Sequence, residues 1–406
     1  MTMSNVMKPR LRLSPYKDDW EKFVLKDKAS FSTGHGYSKN DLRTVGKPII
    51  LYGRLYTNYE TIIRDVDTFV TEQPNSILSK GGEIIIPSSG ETAEDISVAS
   101  MIAKAGIIIG GGLNIIKTNE IEPAFLALLL TFGKPHQDLA KSAQGKTIVH
   151  LYNQDISQVD IVIPKTKEEQ RTLAYFVDKM DSMIIRTEKE LSKLQEVKKA
   201  YRSMLFPRPG EKQPRLRFKG FTEDWTKKNL GECFTERPER STNGELLSVT
   251  QSSGIKRFSE IGRHDNSNIA SGNYKVVKCG DIAYNSMRMW QGASGWSPYD
   301  GIVSPAYTVI VPKEDVSSLF FSFLFKKPEI IHLFRINSQG LTSDTWNLKF
   351  PAFSKIEVYC PNSFEEQNEI ANFLMSIDTL ISTYSRRIEK FRHIKAACLD
   401  GMFVNK

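Results

Sequence analysis

The chain of 406 residues is 40% apolar and 25% charged, ordinary globular usage that excludes a disordered polymer and leaves room for more than one domain. Lys and Arg outnumber Asp and Glu 55 to 47, for a formal charge of +8 and a pI near 9.0; this favours an anionic partner without naming one. Four scattered cysteines, Cys233, Cys279, Cys360 and Cys398, suit neither a zinc ribbon nor a disulfide framework, and the longest apolar stretches fall short of the ~20 residues of a membrane span.

With no apolar core behind the basic residues of Met1 to Pro15, a secretory leader is not expected, nor is membrane contact; the expected location is cytoplasmic. The first landmark is Pro9-Arg10-Leu11-Arg12-Leu13 with Asp19-Trp20. Behind it, residues ~16 to ~160 read as a mixed insert of short β-branched runs, such as Ile84-Ile85-Ile86 and Ile107-Ile108-Ile109, broken by Gly, Pro, Asn and Ser. One apolar helix is predicted over Pro123 to Phe132. Gly110-Gly111-Gly112 lacks dinucleotide-loop spacing and reads as a strand-to-strand turn. Ala140 to Thr147 nearly matches a phosphate loop, but the first glycine is missing and Ile148 to Leu151 reads as a strand instead of a helix. Candidate nucleic-acid contacts in this insert are Tyr52, Arg54 and Tyr56, with Ser88 and Ser89 in a small polar loop, and Lys146.

Pro164, Thr166 and Glu169 then mark a helix start with the spacing of a capping box, in which hydroxyl and carboxylate satisfy amides of the first turn. Steps of four and three carry Leu173, Val177, Met180, Ile184, Thr187, Leu191, Leu194, Lys198, Tyr201 and Leu205, a narrow seam of the kind that pairs helices in a coiled coil. Lys198 interrupts it; its long stem is expected to carry the charge past the seam to solvent, the other reading being an acidic group on another protein. Pro207 to Pro214 closes the helix with a short polar connection. A connection that short cannot lead back along the rod, so a following helix is expected to return antiparallel, rather than each helix packing only on its own insert.

The chain then repeats itself. Pro214-Arg215-Leu216-Arg217-Phe218 and Asp224-Trp225 return at one offset (214 − 9 = 225 − 20 = 205), and Pro361, Glu365-Glu366-Gln367, Phe373 and Asp378 answer Pro164, Glu168-Glu169-Gln170, Phe176 and Asp181 (361 − 164 = 197). Repeats of this length define the architecture. Residues ~221 to ~357 form the second mixed insert, with predicted strands at Tyr274 to Val277 and Ala306 to Val311 and a predicted helix over Val316 to Phe325. Gly82-Glu83-Ile84 aligns with Gly280-Asp281-Ile282, and Gln144-Gly145 with Gln339-Gly340, so one fold with different loops is expected. The second loop, Tyr284, Asn285, Arg288, Trp290 and Gln291, offers amide, guanidinium and aromatic groups suited to base edges, or else a surface loop around a buried Trp290. Lys256, Arg257, Arg263 and His264 are further basic positions. Ser363 and Glu366 open the second helix, whose seam carries Ile370, Leu374, Ile377, Ile381, Tyr384, Ile388, Phe391, Lys395, Cys398 and Met402. Cys360, at the position of Ile163, reads as a small buried apolar residue.

In the order and spacing of the PRLRF-like segments, the Asp-Trp pairs and the Glu-Glu-Gln helix starts, nearly the whole chain resembles the DNA-specificity subunit of type I restriction-modification systems. Departures are slight: Leu13 stands opposite Phe218 and Glu83 opposite Asp281. The resemblance implies an α/β (α+β) fold with two target recognition domains and two long helices in an antiparallel coiled coil. The implied boundaries are 1–163 and 214–360 for the domains, 164–206 and 361–406 for the helices, and 207–213 for the linker. It further implies that each domain reads one half of a split site in double-stranded DNA. Two methylation subunits would dock on the helices and restriction subunits on the assembly. The chain itself would then be no enzyme and hold no metal or cofactor, S-adenosylmethionine, ATP and Mg belonging to the partners. The rival readings are a stand-alone DNA methyltransferase or nuclease, for which no N/D-P-P-Y/F-like motif or catalytic constellation is present, and a coiled-coil scaffold without a DNA role.

Overall fold

The computed structural model describes residues 7–145, 148–251, 254–262, 273–342 and 345–404. Two compact units divide the chain: residues 1–189 with 385–406, and residues 190–384. Two long helices, Lys167–Met204 and Phe364–Met402, each begin in one unit and end in the other. No helix among the described residues is long and apolar enough to cross a membrane.

The first unit is built on two five-stranded mixed sheets. One runs in the order Ser30–Thr33, Leu113–Lys117, Ile84–Pro87, Ser100–Ile102, Ile62–Ile63; the other is centred on Lys47–Ile50 and Ala105–Ile109. The isoleucine runs fill the central strands because both of their faces are covered, and Ile84, Ile85, Ile86, Ile108 and Ile115 are sealed from solvent. The apolar helix Pro123–Phe132 spans the predicted residues and lies in the core beside Trp20. Gly110 to Gly112 does turn between two strands, Ala105–Ile109 and Leu113–Lys117.

The second unit carries a four-stranded antiparallel sheet, in the order Phe234–Glu236, Tyr307–Pro312, Ile282–Asn285, Ser294–Trp296, with smaller sheets around Tyr274–Val277 and Leu247–Thr250. Its counterpart helix, Ser318–Leu324, is shorter than the predicted span: Ser317 caps it, the hydroxyl accepting from the Phe320 amide at 3.4 Å. Cys360 is buried as expected and meets the buried thiol of Cys233 in this core; both are free.

The repeated motifs form the same node in both units. In the first, Arg12 donates to both carboxylate oxygens of Glu169 (Nε to Oε1 and Nη2 to Oε2, each 2.8 Å), and the Trp20 indole N–H donates to Oε1 at 3.2 Å. In the second, Arg217 does the same to Glu366 at 2.7 and 2.8 Å, and Trp225 follows at 3.3 Å. Each glutamine next in line bridges two backbone groups. Gln170 donates to the Pro164 carbonyl and accepts from the Glu122 amide ahead of the apolar helix; Gln367 does so with Pro361 and Ser317. Here the capping-box expectation is corrected. The Thr166 and Ser363 hydroxyls do accept from the amides of Glu169 and Glu366, but the two carboxylates turn inward, because a bidentate guanidinium is the stronger partner.

Across the seams the helices pair antiparallel within each unit. In the first, Lys395 bonds Asp181 and Arg392 bonds Glu188; in the second, Lys198 bonds Asp378 and Tyr201 sets its ring edge-on to Phe373 at 4.8 Å. Lys198 and Lys395 therefore do not run free to solvent. Each meets an aspartate of the other helix, and the two aspartates are themselves repeat partners (378 − 181 = 197). Every predicted seam residue is buried or half-buried, while most neighbours are exposed. Each helix start also sinks into its own core, as Leu173, Ala174 and Val177 do beside Leu399, Met402 and Phe403, and Ile370, Ala371 and Leu374 beside Leu205 and Phe206. Packing on the insert and packing on the other helix thus occur together.

Candidate nucleic-acid interface

In each unit one backbone hydrogen bond joins two loops at equivalent places. The Leu151 amide donates to the Ser88 carbonyl at 3.0 Å, and the Leu348 amide donates to the Ser286 carbonyl at 2.9 Å. The second loop of each pair is closed by a bridge, Gln144 to His150 and Gln339 to Asn347. A glycine of positive φ opens each: Gly145 at +138° and Gly340 at +148°. A Cβ at these glycines would lie 1.9 Å from the Ile148 oxygen and 2.6 Å from the Thr345 oxygen, so only glycine fits. Before each loop pair a buried acid holds the strand entrance. Glu83 accepts from the Lys80 and Gly81 amides, and Asp281 from the Lys278 amide and, twice, from Arg237.

The side chains on this shared frame differ. In the first unit the described surface is aromatic and hydroxyl-bearing. Tyr52 is exposed and lies edge-on to Tyr56, whose hydroxyl donates to the Ser89 carbonyl. Burial pushes the Tyr56 phenol well above its ordinary pKa, so it stays a donor. Ser88 and Ser89 are half-buried in the loop. His150 stacks on exposed Tyr152, with centroids 6.0 Å apart. Neither His150 nor Tyr152 was singled out from the sequence, because a lone aromatic after a short strand carries no periodic signal. Arg54 belongs elsewhere: it bonds Asp67, Glu60 and the Asp65 carbonyl and is largely buried, an internal clasp instead of a free cation. Lys146 lies outside the described residues.

In the second unit the surface is cationic and sulfur- and indole-rich. The Asn285 side chain accepts from the Met287 amide at 3.0 Å, turning the chain so that Met287 and Arg288 face solvent and Met289 goes inside. The Arg288 guanidinium makes no hydrogen bond or ion pair among the described residues. Trp290 is half-buried, its indole N–H on the Met287 carbonyl and its ring edge-on to Trp346 at 5.2 Å, so it is neither sealed in the core nor fully exposed. Gln291 is half-buried, and its carbonyl accepts from the Gln251 side chain. Tyr284 is corrected outright: it is sealed in the core with its ring on Phe353, since strand alternation points it inward. Lys256 is exposed on the hairpin; beside it Arg257 bonds Glu245 and covers the Tyr299 ring. Arg263 and His264 lie outside the described residues. Among the described residues no group of three or more His, Cys, Asp or Glu is placed to hold a metal ion.

The family model of the type I restriction modification DNA specificity domain matches this sequence twice, over residues 17–199 and 222–390. The chain belongs to that family. Each match starts just ahead of a buried tryptophan of the repeated node and ends well along one long helix. Among solved structures, the S subunit of a type I restriction-modification system from M. genitalium is 15% identical, with 98% of this chain and 100% of that chain covered and a TM-score of 0.65. A structure concerned with complex assembly and conformational transition of the type I R-M system is 14% identical over 96% of this chain and 99% of its own, with a TM-score of 0.50. At these identities the likeness shows the fold. No curated protein matches the sequence.

Proposed function

We propose that this specificity-family chain is the DNA-reading subunit of a type I restriction-modification complex, each unit reading one half of a bipartite site. The observation that carries the reading is the loop-to-loop bond repeated in the two units, Leu151 to Ser88 and Leu348 to Ser286, under unlike side chains. One frame with two reading surfaces is what two unlike half-sites require, since base edges are told apart by the groups presented to them. The long helices set the spacing between half-sites and dock two methylation subunits, and restriction subunits act through that assembly. S-adenosylmethionine, ATP and Mg serve the partners, while this chain supplies recognition and no catalytic group, and it works where the chromosome is, in the cytoplasm.

The test is exchange of residues 16–160 for the corresponding insert of another family member, followed by mapping of methylated positions in the host. One half of the methylated sequence is expected to change and the other to stay. Change in both halves, or methyl transfer by the purified chain alone, overturns the assignment.

A further inference from the structure

Where the first long helix ends in the second unit, a cleft of about 670 Å³ opens between that helix, the proline-rich connection and the Lys326–Glu329 segment. Its volume is that of a small-molecule site. The lining includes Lys199, Arg202, Arg208, Arg215, Lys326 and Lys327, and among its described residues only Glu329 is acidic. Lys327 bonds Glu329, and Lys326 is committed to the carbonyls of Gln251, Gly292 and Ser294. Lys199, Arg202, Arg208 and Arg215 have no carboxylate partner among the described residues.

The other repeat shows that this charge is no requirement of the frame. The Leu216 amide on the Met204 carbonyl matches the Leu11 amide on the Gly401 carbonyl, so Arg202 corresponds to Leu399, Lys199 to Ala396 and Ser203 to Asp400 (401 − 204 = 197). In the first unit Arg10 pairs with Asp400, and Leu399 is buried in the core. In the second, Arg215 finds only the Ser203 carbonyl, at 3.4 Å, among the described residues. An apolar position has become a half-buried guanidinium, and a paired arginine has lost its acid. Burial holds the Arg202 guanidinium below its ordinary pKa, against the pull of Asp378 and Glu329. Burial, and then Arg202, push Lys326 down to about 8. Unmatched cations around a concavity, the half-buried Arg202 among exposed Lys199, Arg208 and Arg215, are relieved by a multiply charged oxyanion, and arginine forks fit phosphate oxygens in pairs.

We propose that this cleft binds a phosphate-bearing ligand, a site carried by the second unit alone and independent of half-site reading. The ligand is either a free nucleoside polyphosphate or a phosphate of a nucleic-acid backbone. The test uses the full chain and the double variant Lys199→Ala, Arg202→Leu, which installs the residues the first unit already has. Calorimetric titration with pyrophosphate and with ATP at low salt is expected to show binding that the double variant weakens at least tenfold, at an unchanged melting temperature. If instead only a short DNA duplex is weakened, with a log–log salt slope shallower by about 1 per lost contact, the backbone is the source. Equal affinities of the two proteins for all three probes overturn the proposal, and so does a preference for poly-glutamate over pyrophosphate that the variant abolishes. Arg215→Gln, at an exposed position, gives the same reading if the double variant does not fold.

Discussion

At the scale of the residue, the buried glutamates carry the most. Glu169 and Glu366 are each almost sealed from solvent and each balance one guanidinium and one indole. Removing one partner of such a pair strands the other charge in the interior. Glu169→Gln is expected to destabilise the first unit by about 3 kcal/mol, read from urea unfolding followed by tryptophan fluorescence, and Glu366→Gln the second unit likewise. Lys326 gives a pH test. Its folded-state pKa of about 8 lies below the ordinary 10.5, so the unfolded chain holds the proton more tightly. The penalty of burying the ammonium is therefore present below pH 8 and is relieved as pH rises from about 8 towards 10.5. The melting temperature of the wild type relative to Lys326→Met is expected to climb over that interval, by on the order of 1 to 3 kcal/mol in stability; a flat difference would sink it. At this scale the sequence was legible in part. It singled out the repeated Arg, Trp, Glu and Gln, but not their joint role, because one Arg–Glu contact spans 157 positions of chain. It placed Tyr284 and Arg54 on the surface because residue type says nothing of which way a strand faces or which acids lie nearby.

Elements were read best where a period runs long. The 4-3 seam predicted both helices and that they pair, the short proline-rich connection gave the antiparallel direction, and the structure gives the helices 38 and 39 residues. Short strands of two to four residues carry too few repeats to fix their pairing, and the two parallel registers of the first unit, Ile62 beside Met101 and Ile49 beside Ile108, had no sequence signal. The lysines in the seam were misread as solvent-seeking because their aspartate partners sit on the other helix, at positions the seam skips. Lys198→Asp is expected to lower the melting temperature by placing two carboxylates together, and Lys198→Asp with Asp378→Lys to recover it, a coupling of about 1 kcal/mol for so partly exposed a pair. Ile381→Asp, which sets a charge in the seam, is expected to abolish co-elution with methylation subunits on size-exclusion chromatography if docking lies on the helices.

For the whole molecule, unlike surfaces on equal frames mean that recognition should come apart in halves. Arg288→Ala is expected to weaken binding to one half-site by about 1 to 3 kcal/mol and leave the other untouched, measured on a panel of half-site variants; uniform weakening would assign Arg288 to the phosphates. The first unit is completed by residues 385–406, whose Met402 and Phe403 hold the places that Leu205 and Phe206 hold in the second. A shortened gene ending after residue 206 would therefore encode a protein lacking its own plug but bearing a serviceable copy of it. Two such products should trade tails, weigh as a dimer by mass photometry, and select a palindrome: the target of a mirrored reader, with one word spelled on both strands.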